Sequence, residues 1–273
     1  VVIPAYRAAS TIDRAVASAL AQDPAPWEVI VADDGSDDGT AEVAERAGAT
    51  VQRLPRGNGS IARNRGAEAA SGEFLAFLDA DDRWMPGKLA VHAASWRAHP
   101  DGAFIFDPST HVDEAGLEFG EFGRGPDGPL PWTAFLDRRQ WAGGSTFSVR
   151  RETYLAIGGC HEGLTMLQDV DLWVRLAAHA GPAWRVNPSR TWYTRSPGGV
   201  SRSPARVAEN IARAVAGWPF ASPRDRERFA SLVWLNAADV TPFPASLALL
   251  RHARSRVAEP RFWRALWRSW RVR

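Results

Sequence analysis

Apolar runs that end abruptly in acids constrain this chain more than any other feature. "WEVIVADD" closes on Asp33 and Asp34, and "EFLAFLDADD" closes on Asp79, Asp81 and Asp82. Both runs have the length and residue types of a buried strand. Around them, strand-like and helix-like segments alternate. "VVIPAY" reads as a strand and "STIDRAVASALAQD" as a helix, capped by Ser10 or Thr11, with Ile12, Val16, Ala19 and Leu20 on its apolar face. "DGTAEVAERAG" reads as a helix stopped at Gly48, "ATVQRLP" as a short strand and "SIARNRGAEAAS" as a helix ended by Gly72. A further helix is expected from about Pro86 to His99. Such alternation predicts parallel strands joined by helical crossovers, an α/β fold.

In an open parallel sheet the ligand crevice lies at the carboxyl ends of the strands. Both acid clusters occupy such ends. Carboxylates sharing one crevice repel each other unless they are protonated, well solvated or neutralised by a cation. Mg²⁺ or Mn²⁺ would serve, since such an ion takes one or two carboxylates and completes its shell with phosphate oxygens and water. The plainer alternative is a pair of solvated Asp-rich turns. A calcium loop is a rival reading of "DGSDDGTAEVAE", but the segment follows a strand, and Glu45 would lie well inside the next helix. Reading "LDADD" as an aspartyl nucleophile loop lacks an identifiable basic partner. No Walker loop or Gly-rich dinucleotide fingerprint follows the first strand. Phosphate charge would therefore be met by metal and Arg.

After Pro100 the pattern changes. "GAFIFDPSTHVD" reads as a strand leading into a turn, and 116–131, rich in Gly and Pro, as a loop. "GSTFSVRRETYLAIGG" predicts a strand and a short helix, and "LQDVDLWVRLAAHAG" a helix with Leu167, Val170, Leu172, Trp173 and Leu176 apolar. From 204 onward the chain reads as helical, interrupted by prolines. This suggests a domain over 1–203 and a helical, Arg- and Trp-rich extension over 204–273. Residues 201–273 hold fourteen Arg, no Lys and five acids, a surplus of nine positive charges, although the whole chain carries only +2. In "PRFWRALWRSWRVR", 260–273, helical spacing puts Trp263, Trp267 and Trp270 on one side and Arg261, Arg264, Arg268 and Arg271 on the other. That pattern suits an anionic membrane surface as well as a helix packed on protein. No recognised nucleic-acid module accompanies the Arg, so nucleic acid is not expected as a partner. The single Cys160 excludes an internal disulfide framework. No run reaches the roughly 18 apolar residues of a spanning helix. The first residues already read as a strand, so no leader is expected, and a cytoplasmic setting follows, with peripheral attachment to the cytosolic membrane face.

Four stretches carry a family resemblance: "VVIPAYRAASTIDRAVASAL", "VIVADDGSDDGT", "ARNRGAEAASGEFLAFLDADDRWMPGKL" and "FSVRRETYLAIGGCHEGLTMLQDVDLW". In order and spacing they resemble family-2 glycosyltransferases with the A-type nucleotide-sugar fold, over roughly residues 1–200. The resemblance implies a Rossmann-like domain with a mostly parallel central sheet flanked by helices. It also implies transfer of a sugar from a nucleotide-sugar donor, a UDP-sugar, to a saccharide or lipid-linked acceptor by metal-assisted single displacement with inversion. Pro4, Ala5 and Tyr6 would line the base pocket, with Asp33 and Asp34 accepting hydrogen bonds from base or ribose. Arg63 and Asn64 would shape the donor pocket. Asp81 would contact Mn²⁺ or Mg²⁺ directly, Asp79 would bind ribose or a metal-bound water, and Asp82 would cap the turn. Asp169 would be the general base. Gln168 stands where the family usually has Glu, which should slightly lower the Asp169 pKa by removing a like charge. Asp171, about 200° away around the helix, would face solvent or an ion partner. Trp173 and His161 would meet the acceptor, Trp84, Trp132 and Trp141 are further candidates to stack on sugar, and Arg195 would contact phosphate. Cys160 would be a small buried filler. The competing reading is a noncatalytic nucleotide-sugar-binding or partner-docking protein with a degenerate site, suggested by Gln168 and His161.

Overall fold

The computed structural model describes residues 1–136, 140, 143–195, 204–218, 227, 231 and 234. Three parallel strands, β1 (Val2–Ala5), β2 (Ile30–Asp33) and β3 (Thr50–Arg53), run side by side in that order. Helices α1 (Ile12–Leu20), α2 (Thr40–Arg46) and α3 (Gly59–Ala69) follow them in turn. Helix α1 buries Ile12, Ala15, Val16 and Ala19, while Leu20, expected on that face, is exposed. Helix α3 starts where the Asn58 side chain accepts from the backbone N–H of Ser60 at 2.9 Å and of Ile61 at 3.2 Å, satisfying two of the unpaired first-turn donors. It lies close on β1 because Gly66 has no side chain: a Cβ there would stand 2.4 Å from Val2 Cγ1.

A second sheet has the order β4 (Phe74–Ala76), β10 (Phe147–Arg150), β6 (Ile105–Phe106), β11 (Ala183–Arg185), β9 (Gly128–Leu130). A parallel bridge from Val2 to Phe77 joins it to β1, making the two sheets continuous. Strand β10 is antiparallel to both β4 and β6, whereas β11 and β6 are parallel. A third sheet orders β5 (Arg83–Trp84), β12 (Thr191–Thr194), β7 (Ser109–Val112) and β8 (Glu118–Phe122). Strands β8 and β9 lie within 116–131, where a loop was expected. Strand β8 pairs with its sequence neighbour β7 as an antiparallel hairpin and β9 with the distant β11, and that pairing overrides their Gly and Pro content.

The α/β expectation holds, with helices α4 (Lys88–Ala98), α5 (Arg151–Ala156) and α6 (Gln168–Ala180) beside the strands. Helix α7 (Pro204–Ala216) follows. Its Ala214 and Val215, with Trp218 and Trp234, share one apolar core with Phe104, Phe147 and Trp173. These described residues past 203 thus pack into the core of the residues before them. Asp171, expected to face solvent or an ion partner, is buried against its ion partner Arg175. It accepts from Arg175 Nε at 2.9 Å and from the Trp218 indole at 3.0 Å. Arg175 in turn donates to the Ile157 and Gly159 carbonyls, so one buried carboxylate ties α6 to the loop after α5 and to the turn after α7.

Candidate active site

A cleft of about 670 Å³ opens at the carboxyl ends of β1, β2 and β4, lined among others by Tyr6, Asp34, Arg56, Arg63, Asp79 and Asp81. The two acid clusters thus meet in one hollow, as the strand-end argument requires.

At one end, Pro4, Ala5 and Tyr6 form the wall, and Tyr6 is 40% exposed. Asp34 is buried but turned to the cleft. Its Oδ1 accepts from the Gly57 N–H at 2.7 Å and its Oδ2 from Arg56. Asp33 does not reach the cleft. It is buried, and its Oδ1 accepts from the Ser36 N–H at 3.2 Å and from the Ser36 hydroxyl, so it fastens the turn after β2. The neighbouring acids are also occupied by local structure. Asp37 pairs with Arg7, and Asp38 accepts from the N–H groups of Thr40 and Ala9, both at 3.1 Å. No glutamate from α2 turns toward them to complete a calcium loop: Glu42 and Glu45 pair with Arg53.

The deep end is acidic with one buried cation. Arg63, expected in the pocket, lines it and donates to Asp79 Oδ1 at 2.5 Å. Burial works against this guanidinium, but Asp79 and Asp169 hold it firmly protonated. Asp81 has no ion pair among the described residues. Burial, with the charge of Asp79 added, pushes its carboxyl up to about 6. Asp82 is removed from the cleft: it accepts from Ser145 Oγ at 2.5 Å and from the Thr194 N–H at 2.8 Å, and burial pushes it far up. Asp82, expected to cap the turn, is instead bound to Ser145 and to the last residue of β12.

Asp169 opens the first turn of α6, facing this acidic end. A Cβ built on Gly144 would lie 3.3 Å from Asp169 Oδ1, 3.3 Å from Asp79 Oδ2 and 3.4 Å from Arg63 Nη2. Three ionic side chains therefore converge on one point that only a glycine leaves open. Burial pushes the Asp169 carboxyl up to about 6, Arg63 opposing and Asp79 adding to the rise. The small downward effect expected from Gln168 is outweighed by this burial. No hydrogen-bond donor among the described residues occupies the Asp169 carboxylate, so its lone pairs are available to a hydroxyl. Gln168 itself lines the cleft and donates to the Leu164 carbonyl at 3.1 Å.

Several expected site residues lie elsewhere. Asn64 is buried behind the cleft with its amide fully used. It donates to the Cys160 carbonyl at 2.9 Å and to Glu162 at 3.1 Å, and accepts from the Tyr154 hydroxyl and Cys160 N–H, both at 2.8 Å. Its role is to hold the Gly-rich loop after α5, where Cys160 is the buried filler anticipated. Trp173 is 1% exposed and stacked among Phe104, Phe106, Phe135 and Phe147. It is a core residue, out of reach of an acceptor, because the cleft-facing side of α6 ends with its first turn. Trp84 is likewise buried, its indole donating to the Ser145 carbonyl at 2.8 Å. Trp132 packs against the core, and Trp141 lies outside the described residues. His161 is exposed outside the cleft, its Nδ1 accepting from Gly163 N–H at 3.0 Å. Arg195 is exposed where β12 ends, its N–H bonded to the Val112 carbonyl at 2.9 Å. Arg56, Asn58, Thr165 and Tyr193 line the cleft without having been singled out. Only the three-dimensional approach of their loops marks them.

With this geometry in hand, likeness to known proteins can be assigned. The sequence profile of Glycosyl transferase family 2 matches residues 1–168, and the chain belongs to that family. Escherichia coli UDP-Glc:alpha-D-GlcNAc-diphosphoundecaprenol beta-1,3-glucosyltransferase WfgD is 40% identical over 95 residues, 33% of this chain and 38% of WfgD. Rhizobium meliloti succinoglycan biosynthesis protein ExoU is 43% identical over 122 residues, 42% of this chain and 34% of ExoU. The chain thus spans well under two thirds of either relative. In fold it matches S. aureus TarS 1–349, solved with UDP-GlcNAc, with a TM-score of 0.68 at 16% identity over 98% of this chain and 87% of that one. The Rossmann-like A-type expectation is met at the level of fold. No helix among the described residues is long and apolar enough to cross a membrane, and the 260–273 segment lies outside them.

Proposed function

We propose that this chain is an inverting glycosyltransferase that moves a sugar from a nucleotide-activated donor, a UDP-sugar, to a saccharide or lipid-linked acceptor in envelope polysaccharide synthesis. One observation carries the reading: Asp169 meets Asp79 and Arg63 at Gly144, and Asp79 and Arg63 line the cleft that Tyr6 and Asp34 line at its other end. Support for the donor comes from TarS, solved with UDP-GlcNAc and with UDP. Support for the acceptor class comes from the names of WfgD and ExoU.

Tyr6 would offer its ring to the base and Asp34 its carboxylate to a base N–H or ribose hydroxyl. Asp169 would take the proton of the acceptor hydroxyl as it attacks the anomeric carbon from the face opposite the leaving group. Arg63 would hold Asp79 in place and keep the Asp169 charge tolerable in a buried setting. Among the described residues no three acids or histidines group to hold a metal by themselves. Asp81 with Asp79 nevertheless suits a hard divalent ion that takes its remaining ligands from phosphate and water, because Asp81 is a carboxylate lining the cleft without an ion partner among the described residues. These two residues would hold Mn²⁺ or Mg²⁺, which when bound supplies charge neutralisation for the departing diphosphate.

The test is donor hydrolysis and transfer with Mn²⁺ present, comparing wild type with Asp169→Asn. A fall of about 100-fold or more is expected for loss of a general base; equal rates would remove the base assignment. A thermal-shift panel of nucleotides, nucleotide sugars and divalent metals tests the donor, since a native-state ligand raises the melting point.

A further inference from the structure

The base end of the cleft is filled by the protein itself. The Arg56 guanidinium lies over the Tyr6 ring, 3.7 Å from its centroid, and donates to Asp34 Oδ2. Atoms in contact sit about 3.5–4.0 Å apart, so no ring can lie between Arg56 and Tyr6. The other Asp34 oxygen is held by Gly57.

The backbone delivers this arrangement. Leu54 N–H bonds the Asp33 carbonyl at 2.8 Å, and Gly35 permits close approach, since a Cβ there would stand 2.9 Å from the Arg56 nitrogen. Arg56 Nη1 also donates to the Gly57 carbonyl at 2.9 Å. The Arg56 side chain is nevertheless 50% exposed, against 2% for Asp34. Leaving the seat returns a guanidinium to water at small cost, whereas Asp34 needs a replacement donor once Arg56 has gone.

We propose that Arg56 is a stand-in for the nucleobase, taking the Tyr6 face and an Asp34 oxygen in the free protein and yielding both when a nucleotide enters. The inference rests on the nucleotide reading above and adds to it a residue that sets donor affinity. A flat, cationic side chain satisfies the same two groups as a flat base with an N–H donor, by cation–π contact and by a charge-assisted hydrogen bond. Apparent affinity is reduced by the fraction of molecules whose seat is open.

Isothermal titration with uridine tests this on the full chain, comparing wild type, Arg56→Ala and Arg56→Met. Uridine is neutral, so losing the Arg56 charge does not change phosphate attraction. Arg56→Ala is expected to bind uridine about tenfold more tightly, as for a seat open in about a tenth of wild-type molecules. Arg56→Met, which can still cover the ring but cannot pair with Asp34, should fall between. Should Arg56→Ala not fold, as judged by circular dichroism, Arg56→Met alone decides in the same sense. Unchanged or weaker uridine binding overturns the stand-in. If wild type still binds UDP in that case, the nucleotide reading survives; absence of UDP and uridine binding from all three proteins removes both.

Discussion

Asp169 concentrates the chemistry in one titration. Its carboxyl is pushed from 3.8 up to about 6, chiefly by burial. As the proposed base it must be ionised, so kcat/KM should fall as pH drops through about 6, and a pH–rate profile reads this directly. The same shift has a cost in stability. Between about pH 4 and 6 the folded protein binds the Asp169 proton more tightly than the unfolded chain, so this contribution is present at low pH and lost as pH rises through about 6. Asp169→Asn should therefore raise stability at pH 7.5, by on the order of 1–3 kcal/mol, and give no gain near pH 4. Thermal melts at the two pH values check the sign. Gly144→Ala would thrust a methyl group among Asp169, Asp79 and Arg63. It should cut kcat by tenfold or more, by roughly 1.4 kcal/mol of barrier, while moving Tm far less than a core substitution would. That Asp34, Asp79 and Asp81 share one cleft was legible from acids at strand ends, whereas Asp169 was placed by the family resemblance. Asn64 and Trp173 were misread, since a motif position does not reveal which way a side chain turns.

The elements are held in place by close approaches and by one buried charge cluster. Gly66→Ala would drive a methyl group into Val2 and push α3 off β1, at about 1–3 kcal/mol, which chemical denaturation would measure. Lys88, at the start of α4, is buried with Asp107 and His92; its Nζ pairs with Asp107, lies 3.3 Å from His92 Nε2 and donates to the Thr146 carbonyl at 2.8 Å. Burial opposes the Asp107 charge, yet Lys88 and His92 hold its carboxyl below the usual range. Asp107 also accepts from the Arg190 N–H at 2.7 Å, just before β12. The cluster thus joins α4, the end of β6 and the entry to β12, the strand that carries Tyr193 into the cleft. Lys88→Met leaves Asp107 buried without its cation and should cost about 3–5 kcal/mol. Helix α1 was readable from apolar spacing, and α2 and α3 from the glycines that stop them. Strands β8 and β9 were not, because short segments rich in Gly and Pro become strands only when a neighbouring edge accepts them, β7 for β8 and the distant β11 for β9.

At the scale of the molecule, the described residues form a main sheet of two bridged parts and a separate four-stranded sheet with apolar cores about them, and the described residues past 203 contribute to the larger core. Trp218→Ala should remove both that packing and the indole bond to Asp171, at about 3–5 kcal/mol. If α6 loses its anchor, activity should fall with stability, which parallel melts and rates would reveal. What the amino-acid order determined by itself was periodicity and chemistry: which segments bury a face, which ends carry acids, and hence an α/β fold with its cleft at the strand ends. Those features follow from neighbours a few residues apart. Only the tertiary structure decided that β10 runs antiparallel, that Asp33, Asp82 and Asn64 serve the scaffold, and that Arg56 covers Tyr6. Each depends on groups brought together across long stretches of chain, where packing and the pairing of buried polar atoms choose among arrangements that local sequence leaves equally open.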